Sequence, residues 1–577
     1  MAHRLFLSYL FFSLWMTGIA QAPQVVTHFP ENLATNADPW TEISITFNQS
    51  LAPLSIHSGT VKVFGRWSGP LTATIELSTD EKSIILTPQT PFIAGEWVSV
   101  TLTKDIQSTG GTPMGRGYSW NFWAATAPGS LQQVPVDTIY LRLPGEVYLQ
   151  TYGAYAGDLN NDGYSDLTVV NEASDDLRIL LNDGAGSYSD FTVIPMGNLT
   201  PSPNEGADFN GDGEIDLAVS TAHADEVRVF FGDGQGHFPE VDVYNTGAGA
   251  RGLAVLDCNS DGFDDIFITN RISDNITLLT NYGDGTFLVQ GLNTDGDGET
   301  ACAVADANND GFPDVFIGSY NSKELSLLLG DGQGGFTLSD VVSVIGRPWM
   351  IAAADLNGDG FADVASANSD GNRLAVSFGD GNGQLSPPVH YTNSYSLFPL
   401  AIDLGDLDGD GDIDIVTSNY SGPNYTVFEN DGFGGFSLAA VLLAPDKASC
   451  AILHDRDNDG DLDITGSDEG ADVLVLFENQ GAVPARELDG GYATSFRLLA
   501  NPCREDCILW VELAKPASAT VEVFSAQGQF LNRLQVETLG YGGQQIPLNI
   551  GQLPAGLYWC RAIAGEAQWS GPILIPE

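Results

Sequence analysis

The sequence predicts an all-β protein: a seven-bladed β-propeller flanked by an N-terminal β-sandwich and a small C-terminal β-sandwich. Three observations predict it. An acidic nine-residue stretch, at its plainest Asp355-Leu-Asn357-Gly-Asp359-Gly-Phe361-Ala-Asp363, occurs seven times. Successive copies start 49 to 51 residues apart, a period that marks a solenoid, a propeller or an array. Between copies the chain reads as short apolar runs split by turn residues, about four per period, which is the content of one propeller blade.

Every copy has a carboxylate or amide side chain at positions 1, 3, 5 and 9 and glycine at position 6. Alternate residues then point inward, the glycine permits the sharp turn, and the position-7 carbonyl adds a ligand. That is how a short loop wraps oxygen around one hard cation. The candidate ligands are Asp158, Asn160, Asp162, Tyr164 and Asp166 in the first copy, then Asp208, Asn210, Asp212, Glu214 and Asp216. The third and fourth offer Asp257, Asn259, Asp261, Phe263, Asp265, Asp306, Asn308, Asp310, Phe312 and Asp314. The fifth has Asp355, Asn357, Asp359, Phe361 and Asp363, the sixth Asp406, Asp408, Asp410, Asp412 and Asp414, and the seventh Asp455, Asp457, Asp459, Asp461 and Asp463. Position 12 is never Glu (Val169, Gly466), so these are not EF-hands. The loops at Asp406 and Asp455 carry Asp instead of Asn at position 3, and the extra charge should tighten binding there.

The charge balance agrees. The chain has 75 acids against 22 bases and a net charge of -53, which argues against nucleic acid or an anionic membrane as partner. Without cations each loop would hold several like charges within a few ångströms, a destabilising arrangement. Six cysteines in 577 residues are too few for a disulfide scaffold. Cys258, Cys302 and Cys450 sit in strand-like context and read as buried and inert. Cys503 and Cys507 could bridge, leaving Cys560.

Residues 1–20 read as a secretory signal: a polar start at His3-Arg4, an apolar Leu5–Met16 and small residues at Gly18-Ile-Ala20. No other segment could be a membrane span. Residues 23–127 show alternating runs at 42–47, 60–64, 72–76, 83–87, 97–102 and 118–122, the pattern of a β-sandwich. Ile45-Thr-Phe47-Asn-Gln-Ser-Leu51, Leu86-Thr-Pro88 and Pro91-Phe-Ile-Ala-Gly95 resemble bacterial Ig-like domains. A spacer role is expected for it, with a carbohydrate- or partner-binding module as the alternative.

The propeller is placed at 128–480. Its seventh repeat stops at Gln480 after three strands, while Thr138–Leu143 is a strand with no repeat of its own. Pairing the two would close the ring and remove two exposed edges. The nine-mers, with turns such as Gly232-Asp-Gly-Gln-Gly-His-Phe238 and Gly330-Asp-Gly-Gln-Gly-Gly-Phe336, resemble the FG-GAP/VCBS repeats also seen in integrin α-subunits. The resemblance implies structural Ca²⁺, up to seven ions, bound through positions 1, 3, 5, 7 and 9. Residues 481–500 read as a linker. In 501–577, Asn501-Pro502, the turn at Gln527-Gly528 and Leu553-Pro-Ala-Gly556-Leu-Tyr558 resemble the C-terminal sorting domains of type IX secretion. That resemblance implies the type IX machinery as a partner and a secreted or bacterial cell-surface location. The tail lacks the basic residue often found near that family's end.

No catalytic constellation is found: no H-E-x-x-H, no G-x-S-x-G and no C-x-x-C. His237 and His454 sit beside structural motifs. The glycine-rich turns open strands, so no helix N-terminus is there to hold an anion. Asp295, Asp297 and Glu299 form an extra acidic cluster, more simply a solvated loop than a cation site. Strand alternation puts the cation loops and the glycine-rich turns on one face. The loops of the other face differ most among the copies and are where recognition usually sits. They include Asn171, His223, Arg251, Arg271, Tyr320, Trp349, Asn368 and Tyr420. Trp349 could stack on a sugar or fill a gap between blades. The expected role is recognition or adhesion of an extracellular protein or glycan. A lectin-like propeller, or a polysaccharide-degrading enzyme using the non-metal face, is the alternative.

Overall fold

The computed structural model describes residues 21–131, 133–294, 296–480 and 493–498, and most of 508–575 in segments. The signal segment expected at 1–20, Asp295, Cys503 and Cys507 lie outside the described residues. The chain divides into two compact units, residues 1–482 and 483–577.

In the first unit, the N-terminal sandwich has two four-stranded sheets. One runs in the order Val25–Phe29, Ile43–Phe47, Ser83–Pro88, Ala73–Leu77, and the other Gly69–Pro70, Val61–Gly65, Trp97–Leu102, Tyr118–Trp123. Alternate residues face inward, so Ile43, Ile45, Val98, Val100, Leu102, Trp120 and Phe122 form the core between the sheets. At about 1.5–3 kcal/mol per fully buried large side chain, this core suffices for a small domain.

Seven four-stranded antiparallel sheets follow. The innermost strands are Thr151–Gly157, Pro201–Ala207, Ala250–Leu256, Glu299–Ala305, Pro348–Ala354, Pro399–Gly405 and Ala448–His454. Each leads through a nine-mer into a second strand, such as Asp166–Asn171 or Asp414–Asn419. All six residues of every second strand are buried. The layers between neighbouring sheets hold the hydrophobic core.

The last sheet closes as the closure argument requires: Gln133–Tyr140 is the outer strand beside Val473–Asn479, with Gln133 opposite Asn479 and Tyr140 opposite Val473. The strand starts five residues earlier than the run expected at Thr138–Leu143. Pro135 is no obstacle, because an outer strand need not donate from every residue. An asparagine at the end of the third strand then ties blade to blade. Asn281 Nδ2 donates to the Phe209 carbonyl at 2.8 Å, Asn430 to Leu356 at 3.0 Å and Asn479 to Leu407 at 2.7 Å. Asn182 of the first blade reaches the Arg456 carbonyl of the seventh at 2.9 Å and completes the circle.

The second unit has a three-stranded sheet, Ala493–Leu498, Ile508–Leu513 and Gly542–Pro547. Its four-stranded sheet runs Phe530–Leu539, Ala517–Ser525, Gly556–Ala564, Ala567–Ile575. The linker expected over 481–500 is therefore shorter, because Ala493–Leu498 pairs with Ile508–Leu513. Leu509, Val511, Val521, Val523, Ile546 and Ile573 form its core. Cys560 is buried there as a free thiol. No helix among the described residues is long and apolar enough to cross a membrane.

Candidate functional site

A channel runs down the propeller axis between the seven inner strands, and its two mouths are built differently. The cation loops stand at one mouth. In the first, Asp158 Oδ1 accepts from Asp162 N at 3.0 Å and Oδ2 from Gly163 N at 2.9 Å, while Asp162 accepts from Tyr164 N at 3.0 Å. These bonds fold the loop around its own carboxylates. Position 9 has a second duty. Asp166 accepts from Leu159 N at 3.0 Å and from Asn182 N at 2.7 Å, clamping loop to third strand, and position 9 accepts from a third-strand or turn N–H in all seven blades.

The residues present fit a divalent cation. Asp406, Asp408 and Asp414 bring ligand oxygens within 4.8 Å of one another, as do Asp455, Asp457 and Asp459. These are the two loops with Asp at position 3. Asn259 Oδ1, Asp408 Oδ1, Asp455 Oδ1, Asp457 Oδ1 and Asp461 Oδ1 are buried without any hydrogen-bond partner, which an oxygen tolerates only when something else will meet it. Burial, reinforced by neighbouring loop carboxylates, pushes Asp166 up to about 7, Asp216, Asp314 and Asp363 to about 8 and Asp414 to about 9. A bound cation supplies the missing positive charge and lets those carboxylates ionise. Asp408, Asp412 and Asp461 are pushed to about 7 by the same two causes. Asp412 and Asp461 were expected to act through the main chain, and the Asp412 carboxylate turns toward Gly432 of the glycine-rich turn. At the other position-7 residues the side chain turns away: Glu214 accepts from Asn161 Nδ2 of the first blade at 2.5 Å, and Phe263 lies under Lys62 Nζ at 4.1 Å.

The Ig-like sandwich sits on this mouth, so it is no spacer. Its backbone reads the loops' backbone. Ser119 N donates to the Gly311 carbonyl at 2.7 Å, Ala127 N to Gly460 at 2.6 Å and Thr35 Oγ1 to Gly411 at 2.5 Å. All three acceptors are position-6 glycines, with φ of 82°, 95° and 96°. Glycine adopts that left-handed conformation without strain, and there the three position-6 carbonyls face the sandwich. Arg66 reaches from the sandwich into the channel and lies 3.6 Å from Glu205 and 3.5 Å from Asp403. Glu96 fixes the turn behind it by accepting from Trp67 N at 3.0 Å and Ser68 N at 2.9 Å. A cavity of about 240 Å³ remains between Trp97, Trp120 and Trp123 of the sandwich and the inner strands.

At the opposite mouth every inner strand has a β-bulge at its start. A bulge re-aims a side chain. The residue at this point, six before each nine-mer, is Tyr152, Ser202, Arg251, Thr300, Trp349, Leu400 and Ser449 in turn. All but Ser202 line a cavity of about 80 Å³ at the channel's end. Trp349 Nε1 donates to Tyr152 Oη at 2.5 Å. Arg251 lies over the Tyr152 ring at 5.5 Å and donates to Glu172 at 2.5 Å and to Ser202 Oγ at 3.2 Å. Outside this ring, Arg271 stacks over Tyr320 at 4.0 Å and Trp349 at 5.1 Å, and Arg347 lies over Tyr320 at 4.7 Å.

Of the recognition residues read from sequence, Arg251, Arg271, Tyr320 and Trp349 thus come together. Tyr420 stands apart, donating to Glu469 at 3.2 Å and accepting from Lys447 Nζ at 3.0 Å. His223 pairs with Thr200 Oγ1 at 2.6 Å on an exposed loop. Asn171 and Asn368 are fully buried; Asn171 donates to Asp176 at 2.7 Å and belongs to the sheet. Sequence reasoning missed Tyr152, Arg347 and Glu172. The constant offset of six before each loop would have found Tyr152. His454 is buried against Thr465 Oγ1 at 2.9 Å, and burial pushes it down to about 3, a structural group as expected. Cys258 donates to Asp265 Oδ2 at 2.7 Å, and burial pushes its thiol up.

Comparison with known proteins matches two parts of the chain. Residues 20–124 match the bacterial Ig-like domain. The FG-GAP-like repeat matches five overlapping spans, 158–219, 208–268, 257–317, 306–366 and 355–417. No curated protein matches. Among solved structures, a functionally unknown protein from Desulfotomaculum acetoxidans is similar at 14% identity and a TM-score of 0.39, over 66% of this chain and 98% of that one. A Lactobacillus plantarum protein is similar at 15% and 0.32, over 58% and 95%. A humanized mutant of the Chaetomium thermophilum Polycomb Repressive Complex 2 gives 9% and 0.43, over 61% and 98%. Residues 20–124 are a bacterial Ig-like domain, and residues 158–417 are FG-GAP-like repeats in an all-β chain of seven four-stranded blades.

Proposed function

We propose that this chain is an exported or cell-surface recognition protein. Calcium in its seven loops holds the propeller together, and an extracellular protein or glycan binds at the mouth opposite those loops, without catalysis. One observation carries the reading. The Ig-like domain sits on the cation-loop mouth, and at the opposite one Tyr152, Arg251 and Trp349 of the bulged ring are half-buried while Ser202, Thr300, Leu400 and Ser449 are buried. Varied side chains on a repeating scaffold are the usual form of a binding surface. The bacterial Ig-like domain fits an extracellular setting. Residues 1–20 and 501–577 supply the proposed export signal and type IX sorting domain.

The lectin-like version has its own support in Trp349, half-buried with a ring at the mouth. The test is a glycan array and a cell-surface pull-down with the full chain in calcium, repeated with Trp349→Ala. Binding that is lost in the variant at unchanged Tm supports the reading. Binding retained by the variant, or turnover of a polysaccharide by the wild type, sinks it.

A further inference from the structure

Arg271 runs against the composition. Acids outnumber bases by 75 to 22, and Arg66, Arg142, Arg178, Arg228, Arg251 and Arg347 each have a carboxylate within 3.6 Å. The Arg271 guanidinium makes no hydrogen bond or ion pair with any described residue; its neighbours are the ring faces of Tyr320 and Trp349. It is half-buried, and the nearby charges include two more guanidiniums, Arg251 and Arg347. Arg347 shares Asp370 with Lys323, each at 3.3 Å, and Arg251 is taken by Glu172. The acids on the same face of the third to fifth blades are engaged by their own surroundings: Asp274 accepts from Gly298 N, Asp297 from Asn321 Nδ2 and Glu299 from Thr294 Oγ1, and Asp370 holds Arg347 and Lys323. Arg271 is therefore a cation with no carboxylate partner among the described residues, set between two aromatic rings on a strongly acidic molecule.

We propose that Arg271, Tyr320 and Trp349, with Arg347 at their edge, form a subsite for a sugar ring bearing a carboxylate or sulfate, one unit of an acidic polysaccharide. This rests on the mouth being the ligand surface. The free guanidinium fork matches a carboxylate or sulfate in two parallel hydrogen bonds. Tyr320 and Trp349 meet at 79° with centroids 5.2 Å apart, giving a corner in which the flat C–H face of a sugar packs on one ring. An acidic peptide offers the charge without that apolar face. Burial, together with the charges of Arg251 and Arg347, holds the Arg271 pKa below its ordinary value. An incoming anion relieves that repulsion, so charge and shape favour the same ligand.

The test is calorimetry on the full chain in calcium with four probes: a hyaluronan tetrasaccharide, a chondroitin sulfate tetrasaccharide, neutral chitotetraose and hexaglutamate. One or both acidic sugars should bind, more weakly at higher salt, and the other two should not. Which acidic sugar binds separates carboxylate from sulfate recognition. Arg271→Gln should weaken binding by about tenfold or more, with Tm unchanged. Arg271→Lys, which keeps the charge and loses the fork, should weaken it as well and guards against a folding defect in the first variant. Equal binding of chitotetraose, tighter binding of hexaglutamate, or an unchanged affinity in both variants overturns the subsite. If Trp349→Ala still abolishes such binding, the mouth remains the ligand surface and only its acidic specificity falls. Binding of none of the four at millimolar concentration also overturns the subsite.

Discussion

The two mouths of the channel are made from the same seven strands and obey opposite rules. At the loop mouth the chain repeats itself: position 6 is glycine seven times, and position 9 is a buried aspartate seven times. The Ig-like domain docks there largely by hydrogen bonds to main-chain carbonyls. At the other mouth the backbone repeats, bulge included, while the side chains change from blade to blade. Where backbone geometry is the working part, the sequence is held fixed. Where side chains do the work, only the scaffold is.

The widest test of this contrast is removal of the cations. Chelation should strip the loop mouth of the charge that its buried aspartates require and lower the Tm of the propeller steeply. Each site filled at a thousandfold excess over its Kd contributes about 4 kcal/mol. Differential scanning calorimetry with and without EGTA measures it, and an unmoved Tm refutes the cage. The pH profile sharpens the result. In the stripped protein the position-9 aspartates sit far above the ordinary carboxylate value, Asp166 at about 7 and Asp414 at about 9. A raised folded value gives stability that is present at low pH and lost as pH rises through it. Stripped protein should therefore melt higher at pH 5 than at pH 8. In calcium the same groups are held ionised, and stability should instead fall on acidification.

The next largest effect should come from Arg66, the one cation that the Ig-like domain inserts between Glu205 and Asp403. Arg66→Ala leaves those two acids facing each other in the channel. The expected loss is about 1–3 kcal/mol in urea unfolding, together with faster proteolysis between residues 125 and 132. The Trp97–Trp123 stack, with centroids 6.2 Å apart, offers a fluorescence readout of undocking. If neither stability nor cleavage changes, the loop mouth is sealed by backbone contacts alone.

How much of this was legible in the sequence follows from the same contrast. The loops were, because cation ligation constrains residue types at fixed spacing. Ring closure was too, since an unpaired strand before the repeats and a three-strand repeat at their end leave one solution. Docking of the Ig-like domain was not. It uses mostly carbonyls, which every residue has, and its side-chain contacts, such as those of Thr35, Lys62, Arg66 and Thr126, are scattered singly along the domain without a motif. The double role of position 9 was hidden for a related reason: Asp166 holds strands with the carboxylate that was read only as a ligand. At the opposite mouth, Asn171 ends its second strand, whereas Arg271 stands one place beyond the end of its own, at the position of Glu172 in the first blade. One is turned into the sheet and the other stands out, and residue type alone did not tell them apart.

The smallest expected effect separates loops from one another. Loops six and seven have aspartate at position 3, and there the ligand oxygens converge to within 4.8 Å. Asp408 Oδ1 and Asp457 Oδ1 are buried without a partner. In the fifth loop, Asn357 spends its amide on Asp359 Oδ2 at 3.0 Å and needs no counter-charge. Asp408→Asn should then weaken calcium binding at loop six by roughly tenfold while easing the crowding in the stripped protein, so its Tm in EGTA should rise slightly. Asn357→Asp should do the reverse at loop five. Calcium titrations of the two variants, each with its Tm in chelator, measure both signs. If affinity and stripped-state stability moved together rather than in opposition, the extra carboxylate would be a structural acceptor like that at position 9, and the seven cages would differ in charge without differing in grip.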